Sequence, residues 1–221
     1  MAIDSATGPA APPGLRERKK QRTRNTLIRC ALELFTAKGY EAATVDEIAA
    51  AADVSQRTFF RYFANKEEVA LSLQAVEEEH ALAALLARPA GEGPLTAVRN
   101  GAAASWGPIC RAIAEVVPVA LHLRMQRTIE STPQLLAARL RRLGALEERL
   151  AAELARREGL DPALDPRPRV LVAACCGVMR AAARVWSEDE NAGLDDLVEL
   201  MTRHLDQLAP ALADDWRGGR Q

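Results

Sequence analysis

A polar segment about a quarter of the way along the chain holds the side chains whose chemistry is easiest to state. Gln56, Arg57, Thr58 and Arg61 lie close together there. Arginine can form two hydrogen bonds with guanine, glutamine can form two with adenine, and threonine can contact a thymine methyl group. Such side chains, exposed on one face, would suit the recognition of base edges in duplex DNA.

Two short helices must position these side chains. Thr44-Val-Asp-Glu47 has the pattern of a capping box and predicts a helix over residues 45–52. Asp53-Val54 forms a turn, and Ser55 caps a second helix over residues 56–63. Helices of two turns are not stable alone, so each must pack an apolar face on its neighbours. The predicted apolar residues are Val45, Ile48, Ala49, Val54, Phe59 and Phe63.

Longer helices flank this pair on both sides. Before it, apolar residues recur at helical spacing from Leu27 to Phe35, and Gly39 ends the helix. After it, Asn65-Lys-Glu-Glu68 predicts the start of a long helix. Two short helices joined by a turn of three or four residues, within such a frame, form a helix-turn-helix.

The stretch from Arg22 to Val69 resembles the DNA-binding domain of TetR-family transcriptional regulators. Several features match together, which is far more specific than a helix-turn-helix pattern alone. They are Leu34-Phe35 before Lys38-Gly39-Tyr40, Thr44-Val45 with Ile48-Ala49, Val54-Ser55, and Tyr62-Phe63 before Asn65-Lys66-Glu67. The form from Ser55 to Phe63 is similar to a mainly actinobacterial subgroup that includes the regulators of mycofactocin gene clusters.

This resemblance implies a division of roles that the chemistry of the residues allows. The side chains expected at the major groove are Gln56, Arg57, Thr58 and Arg61, beside the capping Ser55. Thr44 and Tyr62 would donate hydroxyl hydrogen bonds to phosphates, and Lys66 would add its charge to a helix N-terminus. Phe59 and Phe63 are expected in the core, whereas Phe60 and Tyr62 could lie in the core or on the surface.

A basic segment precedes the motif. From Leu15 to Ala70 the chain carries eleven basic and eight acidic residues, although the whole protein has a formal net charge of −1. The basic side chains before the motif would lie along the DNA backbone or enter the adjacent minor groove, and so increase affinity rather than specificity. The alternative is a solvated charged tail. The basic residues expected to contact the DNA are those from Arg16 to Arg24, namely Arg16, Arg18, Lys19, Lys20, Arg22 and Arg24.

The rest of the chain is predicted to be helical too. One long helix lies between Thr132 and Gly159, another between Pro166 and Ser187, and a last one from Leu194 to Leu208. In the resembled family the last two helices form a four-helix dimer interface, and a homodimer would bind two half-sites. The alternative for the helix before Ser187 is internal core. Candidate anchors are Leu171, Val178, Val185, Leu197, Leu200 and Leu205.

The resemblance also implies an effector pocket between the middle helices, for a small apolar or amphipathic molecule. Trp and Met at helical spacing are more often core residues, and His122, between Leu121 and Leu123, fits a hydrogen-bonded or surface histidine better than a ligand-binding one. The adjacent Cys175 and Cys176 could sense oxidants, but small buried cysteines are commoner. Candidate lining residues are Trp106, Cys110, His122, Met125, Cys176, Met179 and Trp186.

Composition indicates an all-α protein, because Ala and Leu dominate while the strand-forming residues Val and Ile are scarce. The longest apolar stretch, Val170 to Met179, is too short to span a membrane, and the N-terminus lacks the pattern of a signal peptide. We therefore expect a cytoplasmic protein with reduced cysteines. The spacing of the cysteines does not indicate a metal site, and we expect no cofactor.

We divide the chain into four parts. Residues 1–14 form a disordered arm, 15–70 a three-helix helix-turn-helix domain, 71–209 a larger helical domain for ligand binding and dimerisation, and 210–221 a flexible tail. A Pro- and Gly-rich break at Arg88–Pro94 lies within the third part.

These patterns favour a ligand-responsive regulator, most simply a dimeric repressor released from a palindromic operator by a small molecule. Two other classes compete with it. An enzyme would need a nucleophile–base pair, a phosphate loop or metal ligands, and the sequence shows no such motif. An interaction protein would have lost DNA binding, which the intact Arg57 and Arg61 argue against.

Overall fold

The computed structural model describes residues 14–213, and within that range every regular element is an α-helix. The all-α class predicted from composition is confirmed. The helices are α1 (Leu15–Lys38), α2 (Val45–Ala51), α3 (Gln56–Tyr62), α4 (Lys66–Ala70), α5 (Gln74–Leu86), α6 (Pro94–Ala114), α7 (Val119–Ser131), α8 (Pro133–Glu158), α9 (Arg167–Ser187), α10 (Leu194–Asp206) and α11 (Leu208–Leu212).

Both predicted terminal segments lie mostly outside the described residues. Of the arm predicted over residues 1–14, the structure describes Gly14, which is exposed and precedes α1. Of the tail predicted over residues 210–221, the first residues belong to α11, which Leu208 anchors by burial. Residues 210–212 of the predicted tail are therefore helical, and residues 214–221 lie outside the described residues.

The first helix is longer than its apolar pattern indicated. α1 extends back to Leu15 because its N-terminal half consists mostly of Arg, Lys, Gln and Glu, which are strong helix formers. Thr23 and Thr26 donate their hydroxyl hydrogens to carbonyl oxygens one turn earlier, at 3.1 and 3.0 Å. The helix ends at Gly39, as predicted, where a φ of +90° favours glycine.

The helix-turn-helix forms where the sequence predicts it, with both helices within one residue of the expected ranges. The Thr44 hydroxyl accepts the backbone N–H of Glu47 at 3.2 Å, and the Glu47 carboxylate accepts that of Thr44 at 2.9 Å. Ser55 caps α3 by accepting the N–H of Thr58 at 3.1 Å. Between the helices Asp53 has a φ of +53°, so the chain turns through the left-handed region.

The long helix predicted after Asn65 is instead two helices, α4 and α5, separated by a three-residue turn. Ser72 donates its hydroxyl hydrogen to the carbonyl oxygen of Val69 at 2.8 Å, and its backbone N–H binds the same oxygen. Serine side chains that bind nearby backbone carbonyls compete with the helical pattern. The resulting bend buries both Leu71 and Leu73.

The larger part of the chain is a bundle built from α5 to α10. α8 follows Thr132 and ends at Gly159, whose φ is +66°, as the sequence predicts. α9 and α10 lie within two residues of their expected ranges. Between Pro94 and Thr132, Pro108 lies inside α6 and Pro118 precedes α7.

One apolar core joins the helix-turn-helix to the bundle. It contains Phe35 and Val69 from the N-terminal helices together with Ile113, Leu121 and Met125 from α6 and α7. α1 packs on α7, and α4 packs on α8. The predicted boundary at residue 70 thus divides the chain within a shared core, in which α7 packs directly on α1.

α9 is long and apolar enough to cross a membrane by length and composition, and α6 with α7 meets the same criteria as a pair bent by 107°. Charged residues interrupt the apolar run of α9, which is why the length of its longest apolar stretch did not predict a membrane span. α9 packs against α8 and α10 and buries Val172, Cys175 and Trp186 between them. A core helix of a bundle meets the same criteria, so this is weak evidence for a membrane span.

Candidate nucleic-acid interface and interior cavities

α3 exposes polar side chains on one face and buries two phenylalanines on the other. Phe59 and Phe63 are 0% and 1% exposed and belong to the shared core, as predicted. Gln56, Arg57 and Arg61 are exposed. Because the two buried rings fix the rotation of α3 about its axis, the polar face must point away from the protein.

Ser55 and Thr58 interact with each other at the N-terminal end of α3. Their hydroxyl oxygens lie 3.0 Å apart, in addition to the capping bond between Ser55 and the Thr58 N–H. Ser55 is exposed and Thr58 is half-buried. A hydroxyl of Ser55 or Thr58 that bound DNA would still take part in the hydrogen bond between the two side chains.

Phe60 is the aromatic residue of α3 that faces solvent. It is 50% exposed, and its ring meets that of Phe59 edge to face, with 5.4 Å between the ring centres. The sequence left the position of Phe60 open. An exposed phenyl ring beside Arg57 and Arg61 can contact a thymine methyl group, so Phe60 joins the candidate DNA-facing residues.

Two arginines lie against aromatic rings of the motif. The guanidinium of Arg61 lies 5.2 Å from the centre of the Tyr62 ring, and that of Arg24 lies 5.2 Å from the Phe63 ring. Tyr62 is half-buried. Such cation–π contacts stabilise by roughly 0.5–1 kcal/mol at exposed sites. Arg24 therefore links α1 to the end of α3, a role that its place in a basic run did not indicate.

Thr44 uses its hydroxyl within the capping box. It donates to the Glu47 carboxylate at 2.9 Å, while the other oxygen of Glu47 binds Lys38 Nζ at 2.5 Å. The hydrogen bond from Lys38, followed by those from Thr44, lowers the pKa of Glu47 to about 2, so this carboxylate stays charged and keeps the Thr44 hydrogen. We therefore correct the predicted role of the Thr44 hydroxyl from phosphate donor to helix cap.

Lys66 points into the protein rather than toward a phosphate. Its Nζ donates to the carbonyl oxygens of Tyr40 at 2.7 Å, Ala43 at 3.0 Å and Glu41 at 3.3 Å. An ammonium group has three hydrogens, so these three bonds use them all. The side chain also lies over the Tyr40 ring, 4.3 Å from its centre. We correct its role to that of a positioning residue for the loop before α2.

The basic run on α1 is helical and exposed. Arg18, Lys19, Lys20 and Arg22 all face solvent, and Lys20 lies 3.6 Å from Glu17. A helix is about 10–12 Å wide, whereas the minor groove of B-DNA is about 6 Å wide. The predicted entry of this run into a minor groove is thus wrong for the helical form, and its contact with phosphates stays a prediction.

Two cavities, both partly open to solvent, lie between helices of the larger bundle, one of about 60 Å³ and one of about 170 Å³. Of the predicted lining residues, Cys110, His122 and Trp186 line the smaller cavity, Cys176 and Met179 line the larger one, and Trp106 lines both. Met125 is the exception: at 2% exposure it belongs to the shared core, so its assignment to a pocket is wrong.

A polar network between the cavities was missed by sequence reasoning. Glu77 Oε1 lies 3.2 Å from His122 Nε2 and 2.9 Å from Gln126 Nε2. Arg139 binds Gln126 at 3.2 Å and Glu130 at 2.8 Å. Burial would raise the pKa of Glu77, but the hydrogen bonds and charges of these neighbours lower it, so Glu77 is an anion. The residues come from α5, α7 and α8, so no local spacing reveals the network.

The cysteines of α9 are poorly suited to redox sensing. Burial raises the pKa of Cys175 to about 11 and, with the nearby Glu147, that of Cys176 to about 12. The thiolate is the reactive form, and at these pKa values both buried thiols are protonated at neutral pH. Within residues 14–213, no group of three or more His, Cys, Asp and Glu side chains could hold a metal ion.

Comparison with known proteins decides the family. The family model described as "Bacterial regulatory proteins, tetR family" matches residues 27–73, and that described as "MftR C-terminal domain" matches residues 109–213. The HTH-type transcriptional regulator TcmR of Streptomyces glaucescens is 49% identical over 205 residues, which cover 93% of this chain and 91% of TcmR. The chain belongs to the TetR family.

Other TetR-family proteins resemble it more distantly. The MftR regulator of Mycobacterium tuberculosis is 27% identical over 179 residues, 81% of this chain and 87% of MftR. A TetR-family crystal structure from Syntrophomonas wolfei has a TM-score of 0.61 at 16% identity, covering 89% of this chain and 99% of that one. The fatty acid degradation regulator FadR of Bacillus halodurans has a TM-score of 0.57 at 19% identity, covering 91% and 98%. At these identities the solved structures show the fold alone.

The TetR-family match covers both parts of the chain, and the predicted resemblance to mycofactocin regulators is confirmed by the MftR C-terminal match. This protein is a DNA-binding transcriptional regulator of the TetR type. The relatives that it matches are transcriptional regulators rather than enzymes.

Proposed function

We propose that this chain is a cytoplasmic homodimeric repressor that leaves a palindromic operator when a small molecule occupies the interior cavities. The observation that carries the DNA-binding part is the exposed polar face of α3, held in place by the buried Phe59 and Phe63. Repression, rather than activation, follows the common behaviour of the family.

Base recognition is assigned to the exposed face of α3. Gln56, Arg57 and Arg61 supply two-point hydrogen bonding to base edges, and Phe60 supplies an apolar surface for thymine. Ser55, Thr58 and Tyr62 lie at the edges of this face. The helical run from Arg18 to Arg22 would lie along phosphates and add affinity without specificity.

Dimerisation is assigned to α9 and α10. One recognition helix buries too little surface for tight binding, whereas a dimer reads two half-sites about 34–36 Å apart. α9 exposes Val170 and Val185, at 64% and 47%, which supports a contact through this helix. Leu197 and Leu205 are buried within the chain, where they hold α10 on α9, so they are not free to act as anchors.

α7 provides a route from the cavities to the DNA-binding helices. His122 and Gln126 line the smaller cavity, whereas Leu121 and Met125 pack in the core shared with α1. A molecule that displaces the first pair would shift α7, and α1 would move with it. A coupling free energy of about 1–3 kcal/mol would change operator affinity about 5- to 150-fold.

The test is a gel-shift titration of the full chain on the DNA upstream of its own gene. The control is a shuffled duplex of the same length and composition. We expect two chains per site, a clear preference for the upstream duplex and a steep decrease in affinity with salt. Equal affinity for both duplexes would refute the regulator, and one chain per site would refute the dimer.

A further inference from the structure

Glu77 of α5 has an accessible hydrogen-bond acceptor in the wall that both cavities share. Its Oε1 lies within reach of His122 and Gln126, whereas no side chain or backbone group of residues 14–213 donates a hydrogen bond to its Oε2. Glu77 Oε2 is not among the buried side-chain nitrogen and oxygen atoms of this range that lack a partner, so it remains accessible. The side chain as a whole is 29% exposed. One carboxylate oxygen is thus free to accept a hydrogen bond from a molecule in the cavity.

The two cavities adjoin at Glu77. Glu77, Trp106 and Met201 line both of them, and the rest of the larger cavity is mostly apolar, with Leu143 and Leu146 in its wall. Its volume of about 170 Å³ slightly exceeds that of an engineered apolar cavity of about 150 Å³ that binds benzene. The larger cavity therefore fits a single ring with a short substituent.

The arginines that line the cavities already have anionic partners. Arg139 lies 2.8 Å from Glu130, and Arg180 lies 3.2 Å from Glu147. Glu77 is itself an anion. An anionic ligand would lose its hydration, find no unpaired arginine in these walls and be repelled by Glu77. The walls therefore disfavour a carboxylate or any other anion.

We propose that Glu77 selects the effector, an apolar ring compound without negative charge whose hydroxyl or amine group donates a hydrogen bond to Glu77 Oε2. The proposal rests on the ligand-responsive function above and narrows its effector to one chemical class. The other oxygen of Glu77 contacts His122 and Gln126 of α7, and α7 packs on α1. A ligand that moves the Glu77 carboxylate would thus act on the helix that connects the cavities to the DNA-binding helices.

Three single-ring probes separate the contributions of donor and charge. Benzyl alcohol has a hydroxyl donor, its isomer anisole has an oxygen that can only accept, and benzoate is an anion. Their affinities for the full chain are measured by ligand-observed NMR titration at neutral pH. We expect benzyl alcohol to bind about 10-fold more tightly than anisole, as a hydrogen bond to a charged group predicts, and benzoate to bind more weakly than both.

The variant Glu77→Gln tests the residue itself. Loss of the charge should weaken the binding of benzyl alcohol about 3- to 10-fold and leave that of anisole unchanged. The same change should strengthen the binding of benzoate, because the repulsion by Glu77 is removed. Glu79→Gln, at an exposed glutamate of the same helix, is the matched control and should change none of the three affinities. A purely structural role of Glu77 would instead weaken the binding of all three probes together.

Three outcomes in the wild type would overturn the proposal: anisole binding at least as tightly as benzyl alcohol, benzoate binding the most tightly, or no binding of any probe up to its solubility limit. These outcomes remain decisive if the melting temperature shows that Glu77→Gln does not fold. In a folded Glu77→Gln variant, an equal change in affinity for all three probes would also overturn it.

Operator binding is measured on the same samples without probe. Retained operator preference together with a failed probe pattern would refute the effector class and leave the regulator intact. A wild-type chain that does not prefer the operator over the shuffled duplex would refute the proposed function itself.

Discussion

Lys66 Nζ lies 2.7 Å from the carbonyl oxygen of Tyr40, which ties the start of α4 to the loop that precedes the helix-turn-helix. The same nitrogen also binds the carbonyl oxygens of Glu41 and Ala43. One ammonium group therefore holds three carbonyls of this loop together, immediately before the Thr44 cap of α2. The charge of Lys66 thus positions the DNA-binding motif from within.

Replacing Lys66 should destabilise the fold more than it changes base recognition. In Lys66→Met the three carbonyl oxygens lose a charged donor, so we expect the free energy of unfolding to fall by about 2 kcal/mol in urea titrations. Lys20→Met, at an exposed lysine of α1, should change it by less than about 0.5 kcal/mol. Unchanged stability together with weaker operator binding would instead show that Lys66 contacts a phosphate.

The turn between α2 and α3 depends on a left-handed residue. Asp53 has a φ of +53°, which a β-branched side chain adopts only with strain. Asp53→Val should lower the free energy of unfolding by about 1–2 kcal/mol, whereas Asp53→Gly should stay close to wild type. Thermal unfolding of both variants distinguishes them, and an equal loss in each would mean that the carboxylate matters rather than the backbone.

Acid should weaken the capping box of α2. The pKa of Glu47 is about 2 in the folded chain, below its ordinary value. A lowered pKa means that its contribution to stability is complete above about pH 4.5 and is lost as the pH falls toward 2. In urea titrations over this range, the wild type should therefore lose stability more steeply than Glu47→Gln. Parallel curves for the two proteins would contradict the hydrogen bonds from Lys38 and Thr44.

Arg57 should contribute to specificity. It is exposed on α3, and a two-point contact with guanine is worth about 1–3 kcal/mol of discrimination. Arg57→Ala should weaken binding to the upstream duplex by this amount and relax selection at one base position in a randomised-duplex selection. A uniform loss across all sequences would show that the side chain contacts phosphate instead.

The basic run on α1 should contribute affinity without specificity. Changing Arg18, Lys19, Lys20 and Arg22 together to glutamine should reduce the slope of log affinity against log salt by up to about 0.9 for each lost phosphate contact. The preference for the upstream duplex over the shuffled one should persist. An identical slope in wild type and variant would show that this end of α1 does not touch DNA.

Much of the helix-turn-helix could be predicted because its determinants are local. Thr44 and Glu47 are three residues apart, and each side chain accepts the backbone N–H of the other. The Ser55 side chain likewise accepts the backbone N–H of Thr58. The helix stop at Gly39 likewise depends on one backbone conformation. The burial of Phe59 and Phe63 followed from helical periodicity alone. Short-range hydrogen bonds and apolar spacing depend on residues that are close together in the sequence.

The errors arose where distant parts of the chain meet. Lys66 binds carbonyls 23 to 26 residues earlier, and the Glu77–Gln126 hydrogen bond joins positions 49 residues apart. Met125 resembled a pocket residue by type, but it is buried in the core cluster that also contains Phe35. The break between α4 and α5 depended on a serine bond and on buried leucines that helical spacing does not reveal.

The amino-acid sequence by itself determined the family, the all-helical fold and the polar face that α3 presents, because each depends on residue types at short spacing. Only the tertiary structure decided which polar groups remain available. Thr44 and Lys66 are occupied by partners within the chain, whereas Gln56, Arg57 and Arg61 of α3 stay exposed. The physical reason is that a donor is free or used according to the acceptors that folding brings within about 3 Å, and those acceptors come from the whole chain.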